Sequence, residues 1–274
     1  MSARSYAAGP PRILGVFAHP DDESFCAGGT LAKYVAAGAE AMVVSATRGD
    51  AGQIRDARAA TRRTLGQARE RELATACERL GVQHVRCLDY GDGTLKDVEQ
   101  ETLTRDVAEI IRSFRPDVVI TFGEDGAYGH PDHIAISQLT TAACVAAADA
   151  RYAGASYLAP HTVAKLYYMT VSRALADAYI AVFGDIIMHI DGVDRHVVID
   201  DDWSITTWLD TGAYEDTIWK AVFCHTSQLP TYSRLEQVPE QYQKVIWREQ
   251  TYYRAFSLVN GGRRIERDLF EGLR

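Results

Sequence analysis

Ile13-Leu14-Gly15-Val16-Phe17-Ala18-His19-Pro20-Asp21-Asp22-Glu23 is the stretch on which the fold turns. Its first six residues are an apolar run too short for a helix, and a proline and three carboxylates end it abruptly. Continuous short runs of this kind suit parallel strands covered on both faces. The pattern returns in Ala41-Met42-Val43-Val44-Ser45-Ala46, His84-Val85-Arg86-Cys87-Leu88 and Asp117-Val118-Val119-Ile120-Thr121-Phe122. Helical spacing fills the gaps: Leu31, Tyr34 and Val35, then Leu65, Leu73, Cys77 and Leu80, then Val107, Ile110, Ile111 and Phe114. Pro116 bars the last helix from running into its strand. This alternation predicts an α/β fold with a doubly wound, mostly parallel sheet and right-handed crossovers. Ligands of such sheets bind beyond the carboxyl ends of the strands, where strand order reverses. With the common order 3-2-1-4, the crevice lies between the first and fourth strands, lined by residues 18–24 and 123–133.

The chain of 274 residues, 47% hydrophobic and 24% charged, is long enough to bury a sizeable core and too ordinary in composition for a disordered or fibrous protein. We expect a single domain over 1–274: a flexible 1–12, a Rossmann-like core over 13–150 and a substrate-pocket elaboration over 151–274. In the second half Lys165–Met169 and Arg195–Ile199 read as strands, and 214–227 has helical spacing. A net charge of −8 disfavours nucleic acid as the main ligand. No apolar run approaches a membrane span and the start does not read as a secretory signal, so a cytoplasmic protein is expected. Cys26, Cys77, Cys87, Cys144 and Cys224 are odd in number, scattered and without C-x-x-C spacing, which reads as buried free thiols.

The two loops carry the chemistry. His19-Pro20-Asp21-Asp22-Glu23 packs an imidazole and three carboxylates together, which repel one another unless a cation or solvent relieves them. Gly123-Glu124-Asp125-Gly126-Ala127-Tyr128-Gly129-His130-Pro131-Asp132-His133 supplies two more imidazoles in the same expected crevice. Between them the loops offer nitrogen and carboxylate ligands with a position left for water, the composition of an open catalytic zinc site. Two N ligands and one O ligand would also accept Fe(II), Co(II) or Mn(II).

The paired motifs A-H-P-D-D-E and H-P-D-H, in this order and context, resemble those of the LmbE-like (PIG-L) N-deacetylases, which include GlcNAc-phosphatidylinositol, mycothiol-pathway and bacillithiol-pathway deacetylases. The resemblance covers roughly the first 150 residues and a C-terminal His225-Thr226-Ser227-Gln228. It implies zinc held by His19, Asp22 and His133, with Asp21 as general base. It implies His130 on the oxyanion or the leaving amine, oriented by Asp132, and Tyr128 on the oxyanion. Arg69, in an R-x-x-E-L pattern, and Asp92 match substrate-contacting positions of the family. Taken residue by residue, Arg69 could equally belong to a solvated helix face and Asp92 to a turn.

The activity so implied is zinc-dependent removal of an acetyl or other acyl group from an N-acetylglucosamine-type amino sugar or its conjugate. The alternative is an amidase acting on a larger thiol-sugar conjugate or a glycosylated natural product, since the catalytic loops read only the amide. The expected partner is a small-molecule amino sugar, with no nucleic acid and no membrane span, and a homo-oligomer stays open. A non-catalytic nucleotide-binding module is disfavoured, because Asp21, Asp22 and Glu23 stand where a pyrophosphate would need glycine backbone. Glu23 reads as a partner of a ligating histidine or as a helix-end carboxylate. His84, His161, His189 and His196 read as structural, and His225 as near the site. Trp203, Trp208, Trp219 and Trp247 read as core.

Overall fold

The computed structural model describes residues 9–273 except 156, 186, 191, 261 and 263. Most of the stretch expected to be flexible, residues 1–8 of 1–12, lies outside the described residues. The chain runs β1 (Arg12–Phe17), α1 (Asp22–Ala36), β2 (Glu40–Thr47), α2 (Leu65–Leu80), β3 (His84–Tyr90), α3 (Gln100–Phe114), β4 (Val118–Thr121), the single turn α4 (Gly126–Gly129) and α5 (Pro131–Ala148). There follow β5 (Lys165–Met169), α6 (Arg173–Phe183), β6 (Ile187–Ile190), β7 (Val193–His196), β8 (Thr207–Asp210), α7 (Glu215–Val222), α8 (Leu229–Tyr232), α9 (Glu240–Arg248) and β9 (Glu249–Ser257).

Seven strands form one sheet in the order β3-β2-β1-β4-β5-β9-β8, parallel from β3 to β5 and antiparallel across β9 and β8. The reversal falls between β1 and β4, as the 3-2-1-4 order requires. The fully buried runs of β1, β2 and β4 are sandwiched by helices on both faces. Their continuous hydrophobicity thus follows from burial on two sides. β3 differs from its expectation: it is the edge strand and alternates between exposed and half-buried. β5, β9 and β8 extend the sheet beyond β4, while β6 and β7 pair in a separate two-stranded sheet.

Three expectations for the second half are corrected. β7 ends at His196, and Val197–Ile199 leave the strand because the Val198 amide donates to the Ala127 carbonyl (2.8 Å) instead of continuing the β6–β7 hairpin. The helical stretch over 214–227 is helix only as far as Val222; two short 3₁₀ turns, 212–214 and 226–228, flank it. Trp203 is 80% exposed, contrary to a core role, while Trp247 is buried against Trp219.

The core reaches the crevice directly. The Phe17 and Phe122 rings meet edge-on at 5.9 Å beneath the carboxyl ends of β1 and β4, and Phe122 stacks on His133 at 3.8 Å. The apolar packing that stabilises the sheet therefore also fixes the orientation of a site imidazole.

Candidate metal centre

α1 begins at Asp22, immediately after Asp21, whose backbone stands at φ 120° and ψ −29°. That is strained for a residue with a Cβ, a cost of about 1–3 kcal/mol that surrounding contacts must offset. The kink turns Asp21 and Asp22 into the crevice, while Asp22 and Glu23 sit in the first helical turn, where the helix dipole favours carboxylates. α5 is organised the same way: His130 is its N-cap, Pro131 occupies the first turn and Asp132 follows.

His19, Asp22 and His133 converge. His19 Nδ1 lies 3.2 Å from His133 Nε2 and 3.7 Å from Asp22 Oδ2, and Asp22 Oδ1 lies 3.6 Å from His133 Nε2. Ligand atoms at about 2.0–2.1 Å from a tetrahedral ion stand about 3.3–3.4 Å apart, so the donor set fits a zinc-sized cation. Each ring is turned by its other nitrogen. His19 Nε2 faces Asp92 Oδ1 (3.1 Å) and Asp132 Oδ2 (3.3 Å), and His133 Nδ1 faces the Gly126 carbonyl (3.2 Å). With protons on those outer nitrogens, His19 Nδ1 and His133 Nε2 keep free lone pairs toward the common point.

The electrostatics make the same demand. Burial lowers the His19 pKa, but its bonds to Asp132 and Asp92 and the charge of Asp22 outweigh burial and hold it well above the ordinary value. Burial pushes Asp22 up, relieved in part by His19. The cluster calls for positive charge at this place. His130 is the opposite case, drawn down to about 4 by burial and by the neighbouring His19, and His133 falls for the same reasons.

The structure gives three of the expected residues partners that their motifs do not show. Asp132 does not orient His130: its carboxylate accepts from the Gly93 (2.7 Å) and Leu95 (3.0 Å) amides and faces His19, and only its backbone amide donates to His130 Nδ1 (3.2 Å). Asp92 accepts from the Ala51 and Gly52 amides and turns its other oxygen to His19. Arg69 is buried: its Nη1 donates to the Gly49 carbonyl and its Nη2 to the Pro20 carbonyl and to Asp21 Oδ2 (2.9 Å), while its Nε has no partner. It positions the carboxylate beside the centre.

Other contacts were invisible in the motifs. Tyr232 donates to Asp21 Oδ2 at 2.6 Å from 211 residues away. Glu23 touches no ligating histidine; it accepts from the Asp21 amide (3.0 Å), from Ser24 Oγ (2.5 Å) and from His225 Nε2 (2.8 Å). Glu72, one turn after Arg69, takes the Thr226 hydroxyl and both donors of Ser227. The H-x-S-Q segment is thus tied to α2 and to the Asp21 loop. Tyr128 lies ring to ring with His133 (5.1 Å) and His130 (5.9 Å), and both Tyr128 and His130 are partly accessible. His161 binds the Pro116 carbonyl and His189 pairs with Asp194, away from the centre.

The profile of the PIG-L family, described as GlcNAc-PI de-N-acetylase, matches residues 14–144. The chain is 35% identical over 243 residues to a 1D-myo-inositol 2-acetamido-2-deoxy-alpha-D-glucopyranoside deacetylase of Streptomyces griseus subsp. griseus, covering 80% of this chain and 75% of that one. It is 30% identical to the mycothiol S-conjugate amidase of Streptomyces coelicolor, over 96% of this chain and 97% of the relative. The solved structure of GalB, the 4-carboxy-2-hydroxymuconate hydratase of Pseudomonas putida KT2440, superposes with a TM-score of 0.67 at 20% identity, covering 92% of this chain and 99% of its own. That likeness is one of fold alone, and a fold does not dictate a reaction. Relatives matched over 75% and 97% of their own length, together with the two loops meeting at one crevice, place the chain in the PIG-L family of N-deacetylases and their kin.

Proposed function

We propose that this protein is a metal-dependent hydrolase that removes the N-acetyl group from an amino-sugar conjugate. The observation that carries this reading is the convergence of His19, Asp22 and His133 with one further carboxylate, Asp21, beside them. A divalent ion there, zinc by the donor set, would supply a Lewis acid and a water whose pKa drops from ~15.7 to roughly 7. The remaining work belongs to the chain. Asp21 Oδ2 is engaged by Arg69 and Tyr232, which leaves Oδ1 free to take the attacking water's proton and return it to the departing amine nitrogen. The water oxygen first adds to the acyl carbon, placing negative charge on the former carbonyl oxygen; the C–N bond then breaks as Asp21 hands the proton to nitrogen, giving a free amine and acetic acid, which ionises to acetate and a proton.

His130 is neutral near pH 7, and its Nδ1 already accepts the Asp132 amide. The ring proton therefore sits on Nε2, a donor for the oxygen that gains negative charge, which favours the oxyanion role. Burial holds the Tyr128 phenol protonated, and it can donate to the same oxygen. All five cysteines are unpaired, which suits a reducing compartment such as the cytosol. No helix among the described residues is long and apolar enough to cross a membrane.

The test is acetate release from N-acetylglucosamine conjugates. Asp21→Asn should keep its metal and lose about 10²–10⁴ in kcat, and an Asp21→Asn enzyme with undiminished kcat overturns the assignment. The similarity to an amidase supports a second reading, cleavage of a larger acyl group from the same nitrogen. Identifying the released acid across a panel of N-acyl glucosamines separates the two.

A further inference from the structure

One cation near the centre has no work in the chemistry above. Arg195, on β7, lies along Gly129, the residue before His130. A Cβ at Gly129 would meet Arg195 Cδ at 2.9 Å and Nη1 at 3.2 Å, and the φ of 71° there already favours glycine. The hairpin is held against this loop by the Val198–Ala127 backbone bond. Arg195 Nε is shielded from solvent with no hydrogen-bond partner, and among the described residues no carboxylate pairs with the guanidinium. A guanidinium presents its donors in a rigid fork matched to carboxylate and phosphate, and one left unpaired is poised for such a ligand.

Arg195 also lines a cleft of about 370 Å³ between the 95–100 segment and the first turns of α5, the helix that His130 caps. Its other polar lining is Lys96, Gln100 and Gln138, its apolar floor includes Leu95 and Ile134, and no Asp or Glu lines it. In a chain of net charge −8, a cleft lined by the Arg195 guanidinium and two side-chain amides, with no Asp or Glu in its lining, favours a negatively charged group. The volume is at the lower end of small-ligand sites, room for one substituent and not for a long chain.

We propose that this cleft is a subsite for an oxyanion, a phosphate or a carboxylate, carried by the amino-sugar conjugate, and that Arg195 is the residue that reads it. This rests on the amino-sugar reading of the site and narrows its substrate class to anionic conjugates. The anionic group sits beside the catalytic loop without entering the reaction, so Arg195 governs affinity and choice of substrate.

Calorimetric titration of the metal-loaded Asp21→Asn protein reads binding without turnover, with N-acetylglucosamine 1-phosphate, N-acetylmuramic acid and the neutral methyl N-acetylglucosaminide as probes. At least one anionic sugar should bind about tenfold or more tighter than the neutral one, and the advantage should shrink as salt is raised. Which anion gains it tells phosphate from carboxylate. Arg195→Met should bring the affinities within about twofold, Arg195→Lys should retain part of the gap, and Arg195→Glu should invert it. Equal affinity for all three sugars, no binding of any, or a gap that survives Arg195→Met overturns the proposal. Acetate release by the unsubstituted enzyme is measured separately, so failure of the subsite and failure of the deacetylase reading are told apart.

Discussion

Removing the His225 imidazole should loosen the Asp21 carboxylate from a distance. His225 and Glu23 are both fully buried and meet at 2.8 Å. Truncating one partner of such a pair strands the other charge, at a cost of about 3–5 kcal/mol. Glu23 keeps two other donors, the Asp21 amide and Ser24 Oγ, so His225→Ala should fall near the lower end, about 3 kcal/mol. For a chain of this size that is a drop in Tm of about 6–12 °C. Because Glu23 holds the amide of Asp21 at its strained φ, kcat should fall with little change in KM.

The pair also leaves a pH signature. Burial alone would raise Glu23, but the charge and hydrogen bond of His225 hold it below the ordinary 4.5; its contribution is present above that pH and lost as pH falls through the lowered value. Burial alone would lower His225, but Glu23 holds it above 6.5; its contribution is full below 6.5 and fades as pH rises through the raised value. The intact protein should therefore lose stability on the alkaline side of 6.5 by an amount that His225→Ala lacks. Thermal melts across pH, with a double-mutant cycle against Glu23→Gln, check this. A loss of less than about 2 °C, or strictly additive effects of the two substitutions, would refute it.

Three further outcomes follow from the contacts around the site and the sheet. Tyr232→Phe deletes the 2.6 Å bond to Asp21 and should lower kcat by about 10–100-fold with Tm little changed, read from acetate release and a melt. Gly49 has φ 61°, and a Cβ there would come within 2.5 Å of Arg69 Cζ; Gly49→Ala should push Arg69 off Asp21, costing at least about 1 kcal/mol of stability together with activity. In Glu266→Gln, Lys165 (2.7 Å) and Arg254 (2.8 Å) lose their buried carboxylate, about 3–5 kcal/mol. Against burial, the bonds from Lys165 and Tyr167 hold Glu266 below 4.5, so this variant should also lack the stability loss that the intact protein shows as pH falls below 4.5.

What the sequence revealed is what depends on local pattern. The apolar runs of β1, β2 and β4 are legible because strands buried on both faces need no alternation. The two loops are legible because ligand types cluster within a few residues at strand ends. What it hid is set by long-range packing: Tyr232 reaches Asp21 across 211 residues and His225 reaches Glu23 across 202, and no spacing encodes either. The partners of Asp132, Asp92 and Arg69 (His19 for the first two, Asp21 for the third) were equally hidden, because a motif fixes a residue's position and not the direction its side chain takes. Arg195 stands on an exposed two-stranded hairpin outside the main sheet, where neither burial nor periodicity marks its end.

The central claim is that His19, Asp22 and His133 together grip one divalent ion while Asp21 does not. Stripped protein dialysed against zinc and analysed by plasma mass spectrometry tests it most directly. The account predicts one zinc per chain in the intact protein and in Asp21→Asn, and near none in His19→Ala or His133→Ala. Full zinc occupancy in either histidine variant, or loss of zinc in Asp21→Asn, would contradict it.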